Sequence, residues 1–132
     1  MTSSELVMPK NIAETLVDPR CYADRRIHDA YTWLRNNNPL GIAEPEGYDP
    51  FWTVTKHADI LEVSKQNDLF HNGDRQATLT NQESDRRVRE MTGGSPHLIK
   101  SLVQMDAREH PKYRVLAQPW FLQGNLKKLE DR

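Results

Sequence analysis

Between residues 18 and 36 the apolar positions recur at helical spacing, with Ala23, Ile27, Ala30, Tyr31 and Leu34 on one stripe. Asp18-Pro19 ahead of them supplies a cap and a first-turn proline, and Asn36-Asn37-Asn38-Pro39 a stop. The pattern therefore predicts a helix from about Arg20 or Tyr22 to Asn36. The period then changes. Leu40 to Ala43 and Phe51 to Thr55 read as short strands joined by Glu44 to Pro50, whose Gly47 and Asp49-Pro50 are turn residues, so a small hairpin is expected. Thr55 stands where it can cap a second helix, His57 to about Gln66, with Asp59 in its first turn and Ala58, Leu61 and Lys65 along one side. Leu69-Phe70 is expected to return to the core. From His71 to Met91 neither period is sustained, which reads as a mobile polar loop holding at most one solvated helix. Gly93-Gly94 makes a hinge before the short apolar run that ends at Val103, and residues 1–17 read as a polar lead-in.

The stretch Met105 to Arg114, M-D-A-R-E-H-P-K-Y-R, concentrates the candidate chemistry. On a helix turning about 100° per residue, His110 and Arg114 stand about 40° apart and share a face. Tyr113, Leu116 and Ala117 border that face, and Arg108 and Lys112 point nearly the opposite way. Two starts fit the sequence. Asp106 with Glu109 three residues on resembles a capping box, which starts a helix at Ala107, running to about 118, with Pro111 inside it. Alternatively, Pro111 is the first helical residue and His110 its cap. A His and an Arg beside an apolar face suit a carboxylate in a mostly dry site, although a solvated helix with scattered charges has the same spacing. Pro119 bends or ends the helix, Trp120-Phe121-Leu122 is expected to pack after it, and Asn125 to open a last helix with Leu126 and Leu129 as its apolar positions.

Composition changes the picture by showing how little core material there is. The 132 residues suffice for one domain, yet the hydrophobic fraction is 36%, and Leu, Ile, Val and Phe together number 28. Three Trp and four Tyr argue for packing somewhere, as a piece of a larger domain would show. Eighteen basic residues against nineteen acidic ones give no footprint for a nucleic acid. The cluster Arg86, Arg87 and Arg89 is neutralised in place by Glu83, Asp85 and Glu90. No apolar run approaches the roughly 20 residues of a membrane span, and the first residues lack the apolar core of a secretory signal, so a cytoplasmic protein with no membrane partner is expected. Cys21, the single cysteine, excludes an internal disulfide and a multi-cysteine metal site.

These strings add up to a family likeness. W-T-V-T-K-H-A-D-I from Trp52 to Ile60, Leu69-Phe70, and M-D-x-x-E-H-x-x-Y-R from Met105 to Arg114 resemble, in order and in spacing, the N-terminal third of a bacterial cytochrome P-450, a haem-thiolate monooxygenase. The likeness is greatest to the terpineol-hydroxylating branch, in Y-A-D at Tyr22, W-L-R at Trp33, E-G-Y-D-P at Glu46, T-K-H-A-D at Thr55 and G-G-S-P-H at Gly93. It implies a mainly α fold with a small β-sheet (α+β), the incomplete N-terminal part of the cytochrome P-450 fold. It implies that His110 and Arg114 bind haem propionates on a helix along the haem edge, residues 107–118. Residues 71–105 would form the variable lid over a small apolar substrate, with Leu98, Ile99, Leu102 and Val103 as pocket residues, for which plain core packing is the other reading. Arg108 and Lys112 would belong to the docking patch for a ferredoxin-type electron donor. The family commonly has two prolines where this chain has Ala107 and Arg108, and rarely has them at Pro111 and Pro119.

The family's iron-ligating cysteine lies near the C-terminus of a much longer chain, in a Gly-rich loop. Cys21 lacks that context and reads as a free thiol, so no catalytic residue and no metal ligand is expected here. Two functions remain open: the N-terminal portion of an oxidoreductase that inserts one oxygen atom of O2 into a small apolar, terpene alcohol-like molecule, inactive as these residues alone, or a non-catalytic helical interaction domain or truncated gene product.

Overall fold

The computed structural model describes residues 6–130. The lead-in is not irregular. Lys10–Val17 form a helix, α1, that buries Ala13 and Leu16. The pattern there, Ile12, Ala13 and Leu16, is itself helical. The Asp18 cap is present, its carboxylate accepting the Arg20 N–H at 2.9 Å. The Arg20 side chain, bonded to the same carboxylate, pulls the Asp18 carboxyl down to about 2. The helix that follows is split, however, into α2 (Pro19–Ala23) and α3 (Ile27–Asn37). Arg25, at φ +69°, stands in the left-handed region between them. Asp24 holds this corner by accepting from the Arg26 N–H and from its Nε at 2.7 Å. Ile27, Ala30 and Leu34 are buried on the expected stripe, while Ala23 lies in the earlier helix and is exposed.

The hairpin forms as read. β1 (Leu40–Ala43) pairs antiparallel with β2 (Phe51–Val54), Ile42 opposite Trp52 and Ala43 opposite Phe51. The segment before α1 extends this sheet on the other side of β1, where the Met8 N–H donates to the Ile42 carbonyl at 3.0 Å and Val7 bridges in parallel. Asn38 folds across Gly41 to donate to the Leu6 carbonyl, and a Cβ on Gly41 would lie 2.7 Å from that Asn38 side chain, so the tie requires glycine. Met8, Ala13, Leu16, Ile27, Leu34 and Ala43 make one core between α1, α3 and β1, with Tyr31, Trp33 and Phe51 packed against it.

Beyond β2 the chain buries much less. α4 (His57–Lys65) has no buried residue, and Lys56 is its cap; the Thr55 hydroxyl donates instead to the Pro39 carbonyl. Leu69 and Phe70 are exposed rather than returned to the core. The solvated helix within the polar stretch is α5 (Gln82–Thr92), capped by Asn81 and closed by Gly93 at φ +70°. Its N-terminus is tied to the hairpin turn, since the Gln82 N–H donates to the Gly47 carbonyl at 2.8 Å, and Asp49 accepts from Gln82 and pairs with Arg75. Leu102–Gln104 form one 3-10 turn. α6 (His110–Ala117) passes into a second 3-10 turn, Gln118–Phe121, at Pro119, and α7 (Gln123–Glu130) follows. Trp120 and Phe121 do not pack: they are 73% and 72% exposed. The side chain of Leu129 lies outside the described residues, as do residues 1–5 and 131–132.

Candidate functional site

The helix that carries His110 and Arg114 starts at neither expected position. Residues 107–109 form a turn in which the Asp106 carbonyl accepts the N–H of Glu109 and of His110, both at 2.9 Å, and His110 is the first helical residue. Pro111 then lies in the first turn, where a missing N–H costs nothing. The capping box does not form, because the Asp106 carboxylate bonds elsewhere: it accepts the N–H of Asn72 at 2.7 Å and that of Gly73 at 3.1 Å.

Within α6 the four-residue spacing holds, so His110 and Arg114 share a face. His110 is half-buried and Arg114 exposed. Among the described residues neither side chain has a hydrogen-bond or ion-pair partner. Lys112 projects from α6 on the far side of that face, but Arg108 lies in the preceding turn, so helical spacing does not govern its direction. Glu109 beside it pairs with Lys100.

Of the four residues expected to line a pocket, Leu98, Ile99 and Val103 are exposed, Ile99 by 79%, and Leu102 is half-buried; none joins the core. The nearest groove, of about 740 Å³, is lined instead by polar groups including His71, Gly73, His97, Lys100 and Asp106. His97, 9% exposed, is the buried polar residue of this region; its Nε2 bonds the Gly73 carbonyl at 3.0 Å while Nδ1 has no partner among the described residues. His71 bonds Asp74 through Nδ1 at 3.2 Å, and this contact raises the His71 pKa. His71, Asp74 and Asp106 bring one ligand-capable atom each within 4.8 Å of one another. Sequence reasoning missed Gly73 and His97 and gave Asp106 a local role; no local signal points to contacts spanning more than twenty residues.

Cys21 is buried, 2% exposed, and free, and its burial pushes the thiol pKa up. It sits in α2. No described helix is long and apolar enough to cross a membrane.

No protein-family model matches the chain. It is 42% identical over 125 residues to cytochrome P-450-terp of a Pseudomonas species, covering 94% of the chain and 29% of that protein. It is 28% identical over 121 residues to linalool 8-monooxygenase of Pseudomonas putida, covering 89% of the chain and again 29% of the relative. The crystal structure of CYP108D1 from Novosphingobium aromaticivorans superposes with a TM-score of 0.87 at 35% identity, over 93% of this chain and 31% of that one. The chain thus spans about 30% of the length of these proteins. With sequence and fold agreeing over nearly all of its length, it belongs to the bacterial cytochrome P-450 family and carries the N-terminal part of that fold.

Proposed function

We propose that the chain is the N-terminal portion of a monooxygenase that hydroxylates a small apolar molecule of terpene alcohol type. The observation that carries this is the pair His110 and Arg114, one helical turn apart on α6 and without partners among the described residues, in a chain 42% identical to cytochrome P-450-terp. Two such donors on one face fit the carboxylates of a haem: the guanidinium offers a planar fork to one propionate and the imidazole a single N–H. Bound there, haem would supply the oxygen-activating iron chemistry. The chain's own residues would hold its edge and keep the propionates paired while water is excluded from the other face. The iron-ligating cysteine is not among these residues; buried Cys21, which has no Gly-rich loop around it, does not serve.

Exposure of Leu98, Ile99 and Val103 supports their placement against a ligand rather than in the core, with residues 71–105 as the lid. Exposed Arg108 and Lys112 suit an acidic, ferredoxin-type electron donor, and the protein would work in the cytoplasm. The alternative, a non-catalytic interaction domain, draws on the exposed Val115, Leu116, Trp120 and Phe121. Haem content of the full-length protein separates the two. One haem per chain, with a substrate-induced spectral change on adding linalool or a related terpene alcohol, supports the monooxygenase; a stable, haem-free protein overturns it.

A further inference from the structure

Three stretches far apart in the chain meet at Gly73. Its N–H and that of Asn72 donate to the two oxygens of Asp106, and its carbonyl bonds the Nε2 of buried His97. The contact is close. A Cβ on residue 73 would lie 2.7 Å from the Asp106 Oδ2 and 3.4 Å from the Gln104 carbonyl, so a side chain there and the carboxylate compete for one space. Asp106 also works through its main chain, whose carbonyl accepts the N–H groups of Glu109 and His110 and so starts α6. One residue thereby fastens the entry of the 71–105 loop to its exit, and joins both to the helix that carries His110 and Arg114. Elsewhere the loop is held at its outer side, where Arg75 and Gln82 bond Asp49 of the hairpin turn.

We propose that Asp106 is a positioning residue that latches the base of this loop through Gly73, and that opening the latch lets a bound ligand escape. The idea rests on the reading that residues 71–105 cover the pocket. A two-point, charge-assisted contact closes the neck of a loop whose middle has little buried apolar surface to hold it, so the neck controls how often the loop lifts.

The test uses the full-length protein with Asp106→Asn, Gly73→Ala and the double variant. Asn presents an amide N–H2 to one of two backbone donors; Ala at 73 displaces the carboxylate by contact, since the backbone at Gly73 is not left-handed. Two readouts are taken: amide exchange at Asn72 and Gly73, and the dissociation rate of phenylimidazole, an apolar azole that binds haem iron, followed by haem absorption and compared per haem bound. Each single variant is expected to speed both by about tenfold, the double variant no more than either single one, because both break one contact. Asp106→Glu, which keeps the charge, should recover part of the protection. Unchanged exchange in both single variants, or effects that multiply in the double variant, overturns the latch. Faster exchange with unchanged dissociation overturns its role in ligand escape. If the wild type binds neither haem nor phenylimidazole, the proposed function fails, and the exchange arm still decides whether the latch exists.

Discussion

Arg114 and His110 should not contribute equally. A guanidinium can bond a carboxylate through two donors in a planar fork, whereas an imidazole offers it one. Replacing Arg114 by Ala is therefore expected to lower haem retention more than replacing His110, by on the order of 1.5 to 3 kcal/mol for a lost charge-assisted bond. Absorbance of purified variants measures it, and equal occupancy in both variants and wild type would count against the pair. A second expectation concerns pH. The Asn72 N–H, aided by that of Gly73, holds the Asp106 carboxyl below its ordinary 3.8 against the cost of desolvation, with His71 and Lys100 as the nearby cations. A depressed carboxyl stabilises above its unfolded value and loses that contribution as pH falls through the folded one. Protection of the Asn72 and Gly73 amides should thus hold from neutral pH down past 3.8 and be lost only as pH falls through the depressed folded value. His71 runs the other way: Asp74 raises it above 6.5, so their contact is complete below that value and weakens as pH rises through the folded pKa. Amide exchange and a histidine titration by NMR check both signs. The sequence pointed to His110 and Arg114 through spacing and family likeness together. It could not point to Gly73 or His97, whose partners lie 33 and 24 residues away.

Elements were legible where one face is buried against a neighbour. The hairpin and the C-terminal end of α3 stand within a residue or so of their expected bounds because the core between α1, α3 and β1 enforces the period. The reading failed where tertiary contacts decide: Arg25 breaks one helix into two, Asp106 leaves its local cap for Asn72 and Gly73, and α1 hides in what looked like a polar lead-in. The proposed lid gives an expectation at this scale. Because Leu98 and Val103 are exposed, replacing them should cost little stability, whereas a pocket distinguishes neighbouring ligands by about 1 to 3 kcal/mol per methylene. Binding difference spectra with a series of terpene alcohols should show the ranking change at constant haem content; lost stability with an unchanged ranking would favour core packing. On α6 and the turn before it, reversing the charges of Arg108 and Lys112 should slow reduction by an acidic donor at low salt, with the effect shrinking as salt screens exposed charges. Stopped-flow rates at two ionic strengths measure it, and equal rates at low salt would leave these side chains as merely solvated.

Over the molecule as a whole, burial runs down along the chain. The core residues lie between Met8 and Ala43, and past β2 the described buried side chain is that of His97. From α6 onward Val115, Leu116, Trp120, Phe121 and Leu122 are all exposed. Such a run of apolar surface is costly in water and favours association. Net stability is a small difference between large terms, so a region without a core has nothing to offset the entropy of ordering its backbone. The isolated 132-residue chain is therefore expected to be folded unevenly, with slow amide exchange from α1 through β2 and fast exchange from α6 onward. Circular dichroism should show a shallow denaturation profile in place of one sharp transition. Haem added to it should give no thiolate signature in the carbon monoxide difference spectrum, since the one thiol is buried and burial raises its pKa. Uniform protection with a single cooperative transition would mean that α6 and α7 are held by interactions other than burial, and a thiolate signature would return Cys21 to consideration as a ligand.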